Sequence, residues 1–402
     1  MFTNVILNLF TFVNQNKTMD YLQLATKYLE QELKGKYIHL DTILPILDEL
    51  KSHLEITEIG KSVQKRSIHK IKIGTGKTKI LMWSQMHGNE STTTKGLFDF
   101  IKFLLSNEVE ATRIKNEYTL VCIPMLNPDG AFLYTRENAN SVDLNRDALN
   151  VTQPEMEVLH AIYEEFKPDY CYNLHDQRTI FSTDVYELPA TVSFLSPAFN
   201  DSRTYNEVRL KSIAIINKMN AVLQHYIPNQ VGRFDDSYNV NCTGDYFTTQ
   251  NTPTILFEAG HYQNDYSRDQ VRKFIFIALL SSFGVNYDNV IVDKEMMKYL
   301  NIPQNNKCFY DFIYKNVKII DNSEEKIINF AAQYTEAVHD GQLKFIATIV
   351  KVDGLQGFKG HLEYDCANGL FSSNGVNYPV LGDKTEFFID NLTEFNNGVK
   401  II

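Results

Sequence analysis

The feature that most constrains the fold is an alternation of strand-like and helix-like segments through the middle of the chain. Patterns of buried strands lie at residues 79–86, 117–125, 169–175 and 253–260, and helical patterns alternate with them at 92–105, 154–166, 202–226 and 268–283. Such alternation is typical of α/β domains, in which helices cover a mostly parallel or mixed sheet. The sequence therefore predicts an α/β domain in the middle of the chain.

The flanking segments have different patterns. Apolar residues at helical spacing between residues 20 and 50 predict two amphipathic helices, whereas short strand-like runs punctuated by Gly and Asn dominate beyond residue 296. We predict a helical N-terminal segment at 1–50, the α/β domain at 51–295 and a small β-rich C-terminal domain at 296–402. The tetrapeptide GTGK at 74–77 lacks the second half of a phosphate-binding loop and is interpreted as a hairpin turn.

Size and charge limit the classes of protein that this chain represents. Its 402 residues are 44% hydrophobic, which suffices for one large core or for a large and a small one. The net charge is -10 and the isoelectric point is near 5.5. An acidic chain repels nucleic-acid phosphates and anionic membrane surfaces, so neither is expected as a general partner.

Cysteine usage and hydropathy suggest a reducing environment. The five cysteines are scattered and form no CxxC pair, which favours reduced thiols over a disulfide framework. No window of about 20 apolar residues is present, as a transmembrane helix would require. The first 18 residues form only a weak leader pattern, and the helical pattern after Met19 favours that methionine as the start. We therefore expect a cytoplasmic protein.

Two candidate metal ligands follow the strand at 79–86. His87 and Glu90 have HxxE spacing on a turn that leads into a helix, which can direct a nitrogen and a carboxylate to one point. Zinc accepts both ligand types, and a catalytic zinc site needs a third protein ligand. His175 ends another strand and can supply it, with Asp176 or a backbone carbonyl orienting its ring.

Polar groups also occur at the other strand ends. Asn127-Pro128-Asp129-Gly130 is a turn, and the later segment at 142–147, VDLNRD, places an amide and a guanidinium side by side. An arginine fork is suited to holding a carboxylate. Glu258 ends the apolar strand PTILF, and a partly desolvated glutamate is a natural general base for zinc-activated water.

The ordered set HGNE, NPDG, VDLNRD, a strand-ending His and FEAG resembles the zinc carboxypeptidase family, in particular a bacterial branch, over about residues 81–283. The resemblance implies an α/β fold, a three-layer α/β/α sandwich around a mixed, mostly parallel eight-stranded sheet. It further implies one Zn²⁺ ion held by His87, Glu90 and His175.

The resemblance also implies roles for other residues. Glu258 would match the catalytic glutamate, and Arg136 the arginine that polarises the scissile carbonyl and stabilises the oxyanion. Asn145 and Arg146 would match the pair that binds the terminal carboxylate of the substrate. These roles are expectations from the motifs alone.

Three positions depart from the family pattern or align loosely with it. Asn89 stands where the family often has an arginine, which removes one substrate-binding cation. Tyr238 is the nearest candidate for the mobile tyrosine that closes over the substrate. Asp245 falls near the specificity pocket, where an acid would favour a basic or amino-bearing side chain, but a satisfied helix cap explains it equally well.

The resulting prediction is a zinc-dependent carboxypeptidase that acts on a peptide or peptide-like small substrate. The main alternative is an N-acyl amino acid amidohydrolase similar to succinylglutamate desuccinylase and aspartoacylase. A cell-wall peptide amidase is a narrower variant that Asp245 makes plausible. A metal-binding protein without catalytic activity is the alternative from another class.

Overall fold

A computed structural model describes residues 19–285 and 291–401. The weak leader pattern in the first 18 residues lies outside this part of the chain. The described helices are α1 (Tyr21–Lys27), α2 (Leu40–Leu50), α3 (Thr92–Leu104), α4 (Val109–Glu117), α5 (Pro128–Leu133), α6 (Pro154–Phe166), α7 (Glu207–Leu223), α8 (Thr243–Thr249), α9 (Val271–Ser281) and α10 (Val292–Leu300), with a short 3₁₀ turn at Leu144–Arg146.

The described strands fall into an N-terminal and a C-terminal group. The first comprises β1 (Glu55–Lys61), β2 (Ser67–Ile73), β3 (Thr78–Ser84), β4 (Tyr118–Ile123), β5 (Tyr170–Asp176), β6 (Phe181–Thr183), β7 (Leu188–Pro189), β8 (Val192–Leu195), β9 (Val231–Arg233) and β10 (Thr254–Ala259). The second comprises β11 (Asn305–Lys307), β12 (Phe309–Asp321), β13 (Glu324–His339), β14 (Gln342–Val352), β15 (Lys359–Asp365), β16 (Phe371–Ser372), β17 (Phe387–Ile389), β18 (Thr393–Asn396) and β19 (Val399–Lys400).

The main sheet has eight strands in the order β1-β2-β4-β3-β5-β10-β8-β9. Its central strands β4, β3, β5 and β10 are parallel, whereas β1, β2 and the pair β10–β8 contribute antiparallel contacts. Ile80 and Met82 of β3 face one hydrophobic core, and Leu81 and Trp83 face the other. Because successive strand residues point to opposite faces, a sheet buried on both sides is the middle of three layers. The predicted α/β/α sandwich is confirmed.

The helices form the two outer layers. The first core contains apolar residues of α3, α7 and α9, and the second contains those of α6 and Phe247 of α8. The helix α4 was missed in the sequence, because most of its residues are polar or charged and only Ala111 and Ile114 are buried. The helices α5 and α8 were not predicted either, whereas α3, α6, α7 and α9 lie where the periodicity predicts them, with ends shifted by a few residues.

The prediction of a hairpin at GTGK is wrong. The strands β2 and β3 flank this segment, but each pairs with β4 and not with the other. The segment is fastened to the start of β4, since Gly76 N–H donates to the Tyr118 carbonyl at 3.2 Å. A Cβ at Gly76 would lie 1.9 Å from the Glu117 carbonyl carbon, so the glycine allows a close backbone approach.

The C-terminal region is β-rich, as predicted. One four-stranded sheet has the order β14-β13-β12-β15 and another the order β16-β17-β18-β19. The core between them is aromatic and includes Phe312, Tyr314, Phe330, Phe387 and Phe395. Aromatic rings bury large areas, which allows a small unit to form a core of its own.

The C-terminal region is joined to the α/β region by hydrogen bonds and packing. The strand β11 pairs with β6, and Tyr299 of α10 packs into the core of the main sheet. The predicted boundary at 295/296 therefore falls within α10, and the division into domains stays a prediction. None of the described helices is long and apolar enough to cross a membrane.

Candidate functional site

Three neighbouring strands bring the predicted metal ligands and the predicted base to one edge of the sheet. The strands β3, β5 and β10 are adjacent and parallel, so their carboxyl ends meet. His87 and Glu90 follow β3, His175 lies near the end of β5, and Glu258 lies directly beside His175 on β10. Residues from distant parts of the chain are thus brought together by sheet topology.

The turn after β3 has an unusual backbone. Gln85 has a φ of +46°, in the left-handed region, and its side-chain amide donates to the carbonyls of Ile38 and Gly88. Gly88 packs against the NPDG turn so closely that a Cβ would lie 1.9 Å from the carbonyl carbon of Gly130. The HGNE and NPDG motifs are therefore two sides of one tight backbone contact, which fixes where His87 and Glu90 point.

The side chains of His87, Glu90 and His175 converge. Glu90 Oε1 lies 2.8 Å from Nδ1 of His87, and Oε2 lies 2.9 Å from Nδ1 of His175. The two Nδ1 atoms are 3.1 Å apart, and all the ligand atoms lie within 4.8 Å of one another. Within the described residues, no other group of three or more such side chains has this spacing.

Asp143 contacts the ring nitrogen of His87 that does not face Glu90 and His175. No role was predicted for Asp143 from the sequence. Its Oδ1 lies 3.0 Å from Nε2 of His87 and also accepts the N–H of Asn145 at 2.9 Å. Burial opposes ionisation of Asp143, but the hydrogen bond to His87 and the charge of Arg136 hold its pKa below the usual range. A carboxylate only accepts, so a His87 ring that binds a metal through Nδ1 would carry its proton on Nε2 and donate it to Asp143. The feature of the sequence that could have indicated this contact is the aspartate of the VDLNRD segment.

The three side chains fit a zinc ion. Two imidazole nitrogens and a carboxylate are a known catalytic zinc set, and tetrahedral zinc with bonds of about 2.0–2.1 Å separates its ligand atoms by roughly 3.3 Å. The observed separations of 2.8–3.1 Å, which involve both oxygens of Glu90, are close to this value. The hydrogen bond from His87 to Asp143 is the kind of supporting contact that a zinc-binding histidine usually makes.

Glu258 is nearly buried and has a free carboxylate oxygen. Its side chain is 9% exposed, and Oε2 has no hydrogen-bond partner among the described residues. Burial raises its pKa well above the usual range, and the carboxylates of Glu90 and Asp176 raise it further. A buried carboxylate with an unused oxygen and a raised pKa can accept a proton near neutral pH.

The prediction that Asp176 or a backbone carbonyl orients the His175 ring is wrong. The carboxylate of Asp176 accepts the N–H groups of Thr92 and Thr93 at 2.8 and 3.1 Å, at the start of α3. Its own N–H donates to Glu90 at 3.0 Å. Nε2 of His175 is buried and has no hydrogen-bond partner among the described residues. Packing against neighbouring groups, rather than a hydrogen bond at Nε2, holds this side of the ring.

A cavity of about 630 Å³ opens beside the three ligands; we call it the large compartment. Its outer lining contains Asn145, Arg146, Tyr238, Asp245 and Glu258. All predicted substrate-binding residues thus face one space. A concave site of this size with a few convergent polar groups is typical of small-molecule binding.

The asparagine and arginine of the DLNR segment are held differently. Asn145 Oδ1 accepts the N–H of Thr243 at 2.9 Å, which leaves the amide NH₂ group available. Arg146 is exposed and donates to the Asn145 carbonyl at 2.7 Å and to Cys242 Sγ at 3.2 Å. Amide and guanidinium donors side by side at a cavity wall are suited to a carboxylate.

The carboxylate of Asp245 is bound to backbone N–H groups, unlike a carboxylate whose main role is to bind the substrate. Its two oxygens accept the N–H groups of Ala198 and Asn239 at 2.8 and 2.9 Å. Burial raises the pKa of Asp245 to about 6. Tyr238 is partly exposed, and burial raises its pKa. The structure thus gives Asp245 a loop-fastening role while leaving it at the cavity wall.

A second cavity of about 280 Å³ adjoins the first; we call it the small compartment. It shares Glu90, Arg136, Asp176, Gln177 and Arg178 with the large compartment. Arg136 spans the junction, because NH1 donates to Glu90 at 3.2 Å and Nε to Asp143 at 3.1 Å. The outer lining of the small compartment contains Lys36, Tyr266, Asp311, Gln333, Tyr334 and Glu336. Sequence reasoning missed these residues.

Comparisons with known proteins show similarity to carboxypeptidases. Residues 43–154 match the family described as "Zinc carboxypeptidase". The chain is 25% identical to Carboxypeptidase 2 of Trichophyton tonsurans over 126 residues, which is 31% of this chain and 22% of that protein. It is 34% identical to cytosolic carboxypeptidase 6 of Caenorhabditis elegans over 94 residues, or 21% of this chain and 20% of that protein.

A solved structure has the same fold. The putative carboxypeptidase A of Shewanella denitrificans OS-217 superposes with a TM-score of 0.50 at 17% identity, covering 60% of this chain and 67% of that one. The segments shared with the two curated relatives above span only about a fifth of those proteins.

Proposed function

We propose that the chain is a zinc-dependent metallocarboxypeptidase that hydrolyses the peptide bond next to a free C-terminal carboxylate, since residues 43–154 match the zinc carboxypeptidase family. The observation that carries the proposal is the convergence of His87, Glu90 and His175 within 4.8 Å, with Glu258 on the neighbouring strand. A bound zinc ion would supply a Lewis acid that polarises a carbonyl and makes water more acidic.

The proposed roles of the protein groups follow from their positions. The amide of Asn145 and the guanidinium of Arg146 bind the terminal carboxylate of the substrate in the large compartment. This places the last peptide bond beside the three ligands. Tyr238, on the same wall, closes over the bound residue.

Proton transfer is assigned to Glu258. Its raised pKa suits a group that takes a proton from the attacking water and then gives it to the leaving amine. Arg136 stabilises the negative charge that develops on the carbonyl oxygen. Asp143 is a positioning residue, because it acts through His87 and Arg136.

The test combines metal analysis with an end-specific assay. Purified protein is analysed for bound metal and is incubated with an N-acetyl dipeptide, with and without a chelator, and with the C-terminal amide of the same dipeptide. We expect about one zinc per chain, release of the last residue, loss of hydrolysis with chelator, and little cleavage of the amide. Equal cleavage of the free acid and the amide would contradict the assignment.

A second candidate function is hydrolysis of N-acyl amino acids. The observation that favours it is the size of the small compartment, which at about 280 Å³ suits a small acyl group. The same catalytic groups would serve, since both reactions cleave an amide next to a free carboxylate. Comparing N-acetyl amino acids with N-acetyl dipeptides that share the last residue distinguishes the two functions.

A further inference from the structure

The two compartments adjoin at residues that include Glu90 and Arg136. The large compartment contains the groups proposed to bind the terminal carboxylate, so the residue that leaves occupies it. The small compartment shares Glu90 and Arg136 with it but is not lined by Asn145 or Arg146. If the scissile carbonyl lies at the shared groups, the part of the substrate on the amino side of the bond must enter the small compartment.

The C-terminal β-rich region supplies one wall of the small compartment. Asp311 lies on β12, and Gln333, Tyr334 and Glu336 lie on β13. The facing residues, such as Lys36, Thr179 and Tyr266, belong to the α/β region and the N-terminal segment. The compartment is therefore bounded by two regions of the chain that are distant in sequence.

Contacts between the two regions surround the small compartment. Lys36 Nζ donates to both oxygens of Glu336 at 2.6 Å. Gln333 Nε2 donates to Thr179 Oγ1 at 2.7 Å. A third contact, from the Tyr266 hydroxyl to Asp311 Oδ1, measures 3.0 Å. Both partners of each contact line the compartment, so the regions meet around its rim.

Several hydrogen bonds hold the C-terminal wall of the small compartment in place. Asp311 is fully buried and accepts the N–H of Tyr334 at 2.7 Å in addition to the Tyr266 hydroxyl and the Gln333 amide. The Lys36–Glu336 pair is largely shielded from water and is joined by the Tyr134 hydroxyl. A charged pair bound by several hydrogen bonds resists displacement more than a surface pair does.

We infer that the C-terminal strands limit the length of the substrate on the amino side of the scissile bond, so that the enzyme acts on short peptides and excludes long ones. This inference rests on the proposed function. At about 280 Å³ the small compartment has less than half the volume of the large one, at about 630 Å³, which leaves room for only a short acyl part. A longer chain meets β13 and the Lys36–Glu336 bridge. Exclusion by a steric wall is a common source of specificity.

The experiment compares peptides of different length that share their last two residues. Hydrolysis of an N-acetyl dipeptide, tripeptide and pentapeptide is measured with the zinc-loaded full chain. Their binding to the Glu258→Gln variant is measured by calorimetry, which does not depend on turnover. We expect kcat/KM and affinity to fall at least about tenfold from the dipeptide to the pentapeptide, a ratio within the range that steric selection achieves.

Variants test whether the wall causes the limit. The double variant Lys36→Ala with Glu336→Ala removes the bridge without leaving a lone buried charge, and it should bring the pentapeptide within about threefold of the dipeptide. Tyr334→Ala, which removes bulk from the same wall without breaking an ion pair, should act in the same direction. The double variant Lys36→Met with Glu336→Gln keeps the size of both side chains without leaving a lone charge, and it should keep the limit. Thr335→Ala, at an exposed neighbouring position, is the matched control.

The outcomes separate the inference from the proposed function. Equal rates and affinities for all three peptides in the native chain would overturn the length limit while leaving the carboxypeptidase assignment standing. An unchanged limit in both wall variants, with folding verified by circular dichroism, would also overturn it. Failure to cleave or bind any of the three peptides would overturn the proposed function itself, and the inference with it.

Discussion

The large and small compartments differ in how the chain builds them. The named residues of the large compartment lie between His87 and Glu258, and most of them sit in short motifs at or after the ends of β3, β5 and β10. The outer wall of the small compartment comes from Lys36 at one end of the chain and from strands β12 and β13 near the other. The space beside the leaving residue is thus made by the sheet, and the space beside the acyl part by an added region.

This difference suggests a division of roles. Under the proposed function, the sheet and its three strand ends determine the chemistry, because they position the proposed metal ligands and the proposed base. The C-terminal region leaves these groups untouched and changes only the space beside them. We therefore expect substitutions in the first set to affect turnover for every substrate, and substitutions in the second to affect the choice among substrates.

The largest effect is expected from His175→Ala. Removing one of three ligands should abolish zinc binding and essentially all hydrolysis, for short and long peptides alike. Metal analysis and the dipeptide assay check this expectation. His225→Ala, at an exposed position, is the matched control and should keep both properties. Full zinc content and activity in His175→Ala would break the assignment of the ligand set.

Glu258→Gln should reduce kcat by about 10²- to 10⁴-fold, because the amide cannot accept the proton of the attacking water. Zinc content should remain near that of the native chain, which distinguishes loss of the base from loss of a ligand. Glu157→Gln, on the exposed side of α6, controls for the charge change. Strong residual hydrolysis by the zinc-loaded variant would show that another group takes the proton.

Arg146→Met tests whether the large and small compartments act separately on the substrate. Loss of a charge-assisted hydrogen bond to the terminal carboxylate should lower kcat/KM about 10- to 100-fold, mainly through KM. The preference for a free acid over an amide should shrink, while the ratio between dipeptide and pentapeptide stays unchanged. A change in that length ratio would mean that the two compartments do not act separately.

The smallest effect concerns the attachment of the C-terminal region. His361 stacks on Phe309 at 4.5 Å and donates to the Thr179 carbonyl at 2.8 Å, and burial lowers its pKa to about 4. Below about pH 6.5 the His361 side chain is protonated in the unfolded chain, whereas in the folded chain it stays neutral until the pH approaches about 4. Stability contributed by the neutral ring is therefore lost as the pH falls from about 6.5 towards 4.

The expected loss attributable to His361 is about 2 kcal/mol in the free energy of unfolding between about pH 8 and pH 5. Urea unfolding of the native chain and of His361→Phe at both pH values measures it, and the variant should show the smaller difference. His53→Gln, at an exposed site, is the control. An identical pH dependence in native chain and His361→Phe would contradict the shifted pKa.

Much of the α/β region could be predicted because its signals are local. The strands β3, β5 and β10 appear as apolar runs, and the HxxE spacing needs only four consecutive residues after one of them. The sheet then brings the separate strand ends together by a general rule of parallel sheets. Asp143 was missed because an aspartate before a turn is usually explained as a cap, and it does cap the turn as well as binding His87.

The small compartment could not be predicted, because no local pattern indicates its contacts. Lys36 and Glu336 are 300 positions apart, and Thr179 and Gln333 are 154 apart. Lysine, glutamate and glutamine at such positions are typical of solvent-exposed surfaces, where their charge and hydrogen bonds need no partner. The hairpin error at GTGK has a similar cause, because β4 is inserted between β2 and β3 from a later part of the sequence.

The contact between Lys36 and Glu336 also has a consequence for synthesis. A ribosome releases the N-terminal part first, so the metal ligands and the base are complete before β13 exists. If β13 limits substrate length, a chain that ends before β13 would lack the wall that sets this limit. Synthesis of the final strands would then be the step that adds length selection to the site.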